Sequence, residues 1–100
     1  VTQNGVPFFQ VDEVQNTATR MSSSFSDQTF YSAAVPTYYG GIMTFAWGSD
    51  ETSLRTIELE TLQQRYQQAG IETRYYTPEI HKASYALPRY VETAIAEAKG

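Results

Sequence analysis

Tyrosine is the residue type in this sequence best suited to hold a polar ligand. Eight of its fourteen aromatic residues are Tyr, and two pairs are adjacent, Tyr38-Tyr39 and Tyr75-Tyr76. A tyrosine ring packs on apolar groups while its hydroxyl needs a polar partner. Pro36 enters the first pair's loop and Gly40-Gly41 leaves it, which allows backbone conformations closed to other residues. Such a loop could fix a tyrosine hydroxyl in place; a plain turn with packed tyrosines is the simpler interpretation.

Other reactive groups are few. His81 is the sole histidine and cysteine is absent, which excludes a two-histidine metal site, Cys-ligated zinc, disulfides and a thiol nucleophile. No Ser lies in a nucleophile-elbow motif, and no glycine-rich phosphate loop is present. His81 sits in a short helical segment, where a packed or capping role is the interpretation we adopt. Trp47 ends an apolar strand and is expected to pack against a helix.

Length and charge narrow the class of protein further. With 100 residues and a net charge of −4, the chain fits one domain and argues against a nucleic-acid or anionic-membrane partner. No apolar run approaches the roughly 20 residues of a membrane span, and the first residues lack the features of a signal peptide. We therefore expect a cytoplasmic protein without a membrane segment.

The first half of the sequence predicts a helix between strands. Val1-Thr2 reads as the end of a strand, and Asn4-Gly5 as the turn after it. Apolar residues spaced by three and four predict an amphipathic helix over Val11–Phe25. Thr29–Val35 and Ile42–Gly48 are apolar and aromatic, and the Pro/Gly-bearing loop between them favours an antiparallel pair.

The second half predicts mostly helix. Ile57–Ala69 forms one helix with Gly70 as its C-terminal cap. Glu72–Tyr76 could be a short strand, with one tyrosine ring in the core and the other on the surface. Thr77-Pro78-Glu79 then opens a short helical turn through Ile80, His81 and Ala83, and Arg89–Ala98 forms the last helix. Since a two-stranded sheet is marginal alone, we expect an N-terminal part that completes it.

Three blocks of residues together resemble the C-terminal part of the spermidine synthase family of polyamine aminopropyltransferases. They are Gln3-Asn4-Gly5 followed by Phe9, the Ala34–Ala46 block with its Pro-Thr-Tyr core, and the Arg74–Pro88 block with its Tyr-Tyr-x-Pro-x-x-His core. They follow the family's order and span nearly the whole chain. The sequence is most similar to bacterial members, because Tyr39 and Gly40 stand where animal members tend to have Pro and Ser.

The resemblance implies an α/β fold. Residues 1–100 would be the C-terminal portion of a Rossmann-like, methyltransferase-type catalytic domain, with a helix, an antiparallel strand pair and two further helices. The two strands would be the last two of a seven-stranded sheet. The chain would then be a fragment of the catalytic domain.

The resemblance also implies an activity and a site. The family transfers the aminopropyl group of decarboxylated S-adenosylmethionine to putrescine, giving spermidine and methylthioadenosine, with no metal or other cofactor. The positions that match the family's amine-binding residues are Tyr38, in Pro-Thr-Tyr, and Gln3, which often acts through water. Family members commonly form homodimers or tetramers. The motif around His81 resembles the family, but the resemblance gives that histidine no chemical role.

The resemblance leaves three points open. The family's nucleoside-binding glycines, ribose-binding acid and main catalytic carboxylate lie upstream of these residues, so we expect no catalytic residue here and no activity from this chain alone. One alternative is a non-catalytic oligomerisation or interaction module. Another is an aminopropyltransferase that uses a different amine acceptor, which Tyr38 cannot decide.

Overall fold

The computed structural model describes residues 1–35 and 41–99. These residues form three strands and four helices. In the order of the chain they are β1 (Thr2–Gly5), α1 (Val11–Met21), β2 (Asp27–Ala34), β3 (Ile42–Ser49), α2 (Leu59–Ala69), α3 (Pro78–Ala83) and α4 (Arg89–Lys99). The combination of one sheet with four helices in the described residues confirms the predicted α/β class. Within the described part of the chain, no helix has the length and apolar character that crossing a membrane requires.

The sheet has the order β1-β3-β2, and both neighbouring pairs are antiparallel. The predicted hairpin is confirmed: β2 and β3 pair without a break from Asp27↔Ser49 to Ala34↔Ile42. Beyond the last pair, Val35 N–H donates to Gly41 C=O at 2.8 Å. β1 adds a third strand on the free side of β3, so the sheet is larger than the predicted strand pair.

One face of the sheet carries the hydrophobic core. Phe30 and Ala46 are directly opposed on neighbouring strands and are each 1% exposed, as are Val14 of α1 and Val91 of α4. The apolar spacing that predicted α1 therefore marks the surface that the helix buries. Asp12 and Glu13 in the first turn of the helix are favourable to its dipole.

The opposite face is aromatic. Side chains alternate between faces along a strand, so Tyr31 and Phe45, the pair adjacent to Phe30 and Ala46, point away from α1 and α4. Their rings stack with centroids 5.1 Å apart. Tyr85, just beyond α3, contacts the Tyr31 and Trp47 rings. The structure thus packs Trp47 against the segment that follows a helix rather than against a helix.

Some element predictions were wrong. Asn4-Gly5 is part of β1, where the register shifts in a bulge and Gly5 adopts a φ of +94°. Glu72–Tyr76 is not a strand, and Tyr75 is 52% exposed. The helix predicted over Val11–Phe25 ends at Met21, because the serines after it favour turn conformations over helix.

Candidate functional site

Three strand ends meet at one end of the sheet. β1 finishes at Gly5, which pairs with Thr44 near the start of β3. β2 finishes at Ala34, opposite Ile42. The ends of β1 and β2 and the start of β3 therefore lie together at one end of the sheet, and the ends of a rigid sheet commonly carry ligand-binding residues.

The two predicted substrate-binding residues have different outcomes. Gln3 lies in β1 opposite Phe45, which places it on the aromatic face beside the Tyr31–Phe45 stack, and it is exposed. Tyr38 lies outside the described residues. The structure thus gives Gln3 a place on the sheet, and its role in binding stays a prediction, as does that of Tyr38.

Hydrogen bonds hold the end of β1 in place. Thr44 is fully buried, and its hydroxyl donates to Gly5 C=O at 2.9 Å. Gln10 Oε1 accepts from Val6 N–H at 2.8 Å, and the Thr17 hydroxyl donates to Asn4 Oδ1. A side chain on Gly5 would place its Cβ 2.7 Å from Gln10 Oε1 and force the Gln10 side chain to move, and the φ of +94° also favours glycine.

The aromatic face opens into a pocket of about 310 Å³. Six ring-bearing side chains line it: Tyr31, Trp47, Tyr75, Tyr76, His81 and Tyr85. No Asp or Glu of residues 1–35 or 41–99 is among its lining residues. Its polar groups are phenol hydroxyls, an imidazole and Ser hydroxyls, so these residues offer hydrogen bonds but no anionic charge.

His81 is half-buried beside this pocket. Its Nδ1 lies 2.8 Å from the Tyr76 hydroxyl, a hydrogen bond whose direction is set by the tautomer of the imidazole. Burial lowers the pKa of His81, and the nearby positive charge of Lys82 lowers it further. This environment agrees with the interpretation of His81 as a packed histidine.

An ion pair that sequence reasoning missed lies at the other end of the hairpin. Asp27 is 8% exposed and accepts hydrogen bonds from Arg55 at 2.8 to 3.2 Å and from Trp47 Nε1 at 3.1 Å. The bonds from Arg55 are the main reason that the pKa of Asp27 is lowered. The Arg55 guanidinium also lies 5.8 Å from the Tyr85 ring centre.

The register of the hairpin could have predicted the contact between Asp27 and Trp47. Trp47 pairs with Thr29, so Asp27 is its diagonal neighbour on the same face, within reach of a large side chain.

The environment of Tyr85 shifts its titration, because burial raises the pKa of its hydroxyl. Among the described residues, no cluster of three His, Asp or Glu side chains could hold a metal ion.

Solved structures with the same fold are spermidine synthases. The chain matches the crystal structure of spermidine synthase from Thermotoga maritima with a TM-score of 0.79 at 23% identity, covering 94% of this chain and 32% of that one. It matches a spermidine synthase in complex with the transition-state analogue AdoDATO with a TM-score of 0.80, also at 23% identity, covering 95% and 32%. These matches confirm the predicted portion of a Rossmann-like, methyltransferase-type fold.

Residues 1–60 match the sequence model of the spermine/spermidine synthase domain, and the chain belongs to that family. It is 56% identical over 98 residues to the polyamine aminopropyltransferase of Pseudomonas syringae pv. tomato, covering 98% of this chain and 34% of that protein. It is 57% identical over 97 residues to polyamine aminopropyltransferase 1 of Pseudomonas aeruginosa, covering 97% and 34%. The chain thus spans about a third of the length of these relatives.

Proposed function

We propose that this chain is the C-terminal portion of a polyamine aminopropyltransferase catalytic domain. The whole protein transfers the aminopropyl group of decarboxylated S-adenosylmethionine to putrescine, giving spermidine and methylthioadenosine. The observation that carries this proposal is the identity of 56% and 57% to proteins named for aminopropyl transfer, spread over 98% and 97% of the chain.

The reaction is a direct displacement at carbon. The amine nitrogen attacks the methylene carbon of the aminopropyl group that is bonded to the sulfonium. The C–S bond breaks with its electron pair on sulfur, and a neutral thioether leaves. A C–N bond forms, and the attacking nitrogen gives up a proton. The amine must attack in its neutral form, although such groups have a pKa near 10.4 in water. A proton acceptor near that nitrogen is therefore needed.

Two residues of this chain are proposed to bind the amine. Tyr38 suits the amine twice: its hydroxyl is a hydrogen-bond partner, and its ring is an aromatic wall for the distal ammonium. The Gln3 amide would bind the amine directly or through water. The position of Gln3 on the aromatic face, opposite Phe45 and exposed, supports this assignment.

The isolated 100 residues should not catalyse. The aromatic pocket has no acidic lining residue in the described part of the chain, and the glycine-rich nucleoside segment and catalytic carboxylate expected for this chemistry are absent from the sequence. We further propose that the whole protein acts in the cytoplasm as a homo-oligomer, without a metal or prosthetic group.

An assay of the full-length protein tests the proposal. Purified protein is incubated with decarboxylated S-adenosylmethionine and, separately, putrescine, cadaverine or spermidine, and each polyamine product is identified by mass. We expect spermidine from putrescine as the main product, and none from the isolated chain. Preference for another amine would correct the proposed acceptor. Spermidine formed by the 100 residues alone would overturn the proposal that the isolated chain is inactive.

A non-catalytic interaction module is the second candidate. It is favoured by the exposure of large apolar side chains, among them Phe8 at 70% and Tyr90 at 42%, whose rings contact each other. Exposed apolar patches often mark protein interfaces. The mass of the naturally expressed protein separates the candidates, since a product of 11.3 kDa would favour the interaction module and a heavier one the enzyme.

A further inference from the structure

The side chain of Asn4 connects β1 to α1. Asn4 is 8% exposed, and its Oδ1 accepts a hydrogen bond from the Thr17 hydroxyl of α1. Thr17 is half-buried and lies one helical turn after Val14, a residue of the hydrophobic core, so both are on the side of α1 that faces the sheet. The Asn4 side chain is therefore anchored on the core face of the sheet.

Gln3, the preceding residue, is on the opposite face. It is exposed and pairs with Phe45 on the aromatic face, whereas Asn4 is buried. This difference agrees with the alternation of successive side chains along a strand. A slip of β1 by one residue would exchange the two faces and turn Gln3 toward the core. The anchor of Asn4 thus fixes the face on which Gln3 is presented.

The strand ladder leaves this task to side chains, because β1 has a bulge at Asn4. Gln3 pairs with Phe45 and Gly5 with Thr44, and the register gives Asn4 no partner in β3. Bulges re-aim the side chains beside them. The bulge is held on one side by the hydrogen bond from the Thr44 hydroxyl to Gly5 C=O at 2.9 Å. The Thr17–Asn4 bond holds the bulged residue itself.

Stability alone does not explain a buried asparagine at this position. Its Nδ2 has no hydrogen-bond partner among residues 1–35 and 41–99, and burial of an unpaired donor is unfavourable. Buried polar groups can instead specify register. We propose that Asn4 and Thr17 are positioning residues for the amine acceptor. Their hydrogen bond maintains the register of β1 in which Gln3 lies on the aromatic face.

This inference rests on the proposed function, in which Gln3 binds the amine. Thr17→Val replaces the hydroxyl by a methyl group of similar size and leaves Asn4 and Gln3 unchanged. The loss of one hydrogen bond corresponds to about a two- to tenfold change in an equilibrium. We therefore expect amide hydrogen exchange in β1 to be about two- to tenfold faster, and the KM for putrescine to rise about two- to tenfold.

The experiment uses the full-length enzyme and matched variants. Thr17→Ser restores the hydroxyl without the methyl group. Thr19→Val makes the same replacement in the same helix, but Thr19 is exposed and its hydroxyl donates to Ala98 C=O at 3.4 Å. Gln3→Ala is measured alone and combined with Thr17→Val. For each variant, kcat and the KM values for putrescine and for decarboxylated S-adenosylmethionine are determined.

The expected result is confined to the amine and depends on Gln3. Thr17→Val raises the putrescine KM and leaves the donor KM near wild type, whereas Thr17→Ser and Thr19→Val keep the wild-type putrescine KM. In the Gln3→Ala background, Thr17→Val causes no further rise, because the side chain that it positions is gone. Thr17→Ala, which leaves room for water, is measured in the same way if the valine variant does not fold.

Several outcomes overturn the positioning role. They are an unchanged putrescine KM in Thr17→Val, equal rises for both substrates, an equal rise in Thr19→Val, and the same rise with and without Gln3. A wild-type putrescine KM in Gln3→Ala also overturns it, because Gln3 would then not bind the amine. A wild-type protein that makes no polyamine overturns the proposed function instead.

Discussion

Arg55 and Asp27 form a bidentate ion pair that links the segment after β3 to the first residue of β2. Arg55 Nη2 and Nε donate to the carboxylate at 2.8 and 3.0 Å, respectively. The Asp27 side chain is 9% exposed and that of Arg55 33%. Trp47 Nε1 adds a third donor. The carboxylate thus joins three parts of the chain at the end of the hairpin opposite the Ala34–Ile42 pair.

Replacing Asp27 by Asn should lower the stability of the fold. The neutral amide loses the charge-assisted bonds and turns one donor group toward the guanidinium, which costs about 1.5–3 kcal/mol. Urea unfolding of the variant measures the loss. Glu92→Gln is the control, because its pair with Arg89 is 3.8 Å long and exposed and should contribute less than about 1 kcal/mol. Equal losses in the two variants would show that the pair of Asp27 with Arg55 contributes no more to the free energy of unfolding than an exposed pair.

The sole histidine should make stability depend on pH. Burial and Lys82 lower the folded-state pKa of His81 below its ordinary 6.5, so between these two pKa values the unfolded chain binds the proton and the folded chain does not. Stability is then fully present above pH 6.5 and declines as the pH falls toward the folded pKa. Thermal unfolding from pH 7.5 to 5 should show a steeper decline for the wild type than for His81→Gln, and parallel curves would contradict this.

Local patterns predicted the secondary structure well where one face of an element is buried. The three-and-four spacing found α1, and the apolar runs found β2 and β3 within two residues of their bounds. The pattern failed at Glu72–Tyr76, where two adjacent tyrosines suggested a strand. There the Tyr75 hydroxyl makes a long-range contact with Ala34, which no local periodicity encodes.

Less of the candidate site than of the fold could be predicted from the sequence. Motif resemblance pointed to Gln3 and Tyr38, and their roles stay predictions. The pairing of Asp27 with Arg55 joins residues 28 positions apart, and Arg55 lies in an irregular segment between β3 and α2. Contacts of this kind depend on how loops pack in three dimensions. Hydrophobic periodicity reports which face is buried and not where a loop side chain reaches.

Tyr38→Phe tests the proposed amine site directly in the full-length enzyme. Loss of a hydroxyl that bonds the attacking amine should lower kcat/KM for putrescine by about tenfold or more, since a bond to a charged or reacting group is worth about 1.5–3 kcal/mol. The measurement is steady-state kinetics with putrescine varied at saturating donor. Tyr90→Phe, an exposed phenol on α4, is the control and should match the wild type. Unchanged amine kinetics in Tyr38→Phe would remove that residue from the site.

Gly5→Ala should destabilise the protein more than Gly70→Ala, although both glycines have positive φ. Gly70 has a φ of +62° and open space around it, so alanine there costs only the left-handed backbone, about 1–2 kcal/mol. At Gly5, with a φ of +94°, the new Cβ would meet Gln10 Oε1 at 2.7 Å and displace the side chain that accepts from Val6 N–H. That bond adds about 1 kcal/mol to the backbone cost.

Thermal unfolding of the two alanine variants measures this difference. Gln10→Ala, which removes the side-chain bond and leaves the glycine, supplies the second arm. If the clash with Gln10 is the cause, the double variant Gly5→Ala/Gln10→Ala should lose less than the sum of its single variants, because the new Cβ no longer meets the amide oxygen. Additive losses would place the whole cost of Gly5→Ala in the backbone and remove Gln10 from the argument.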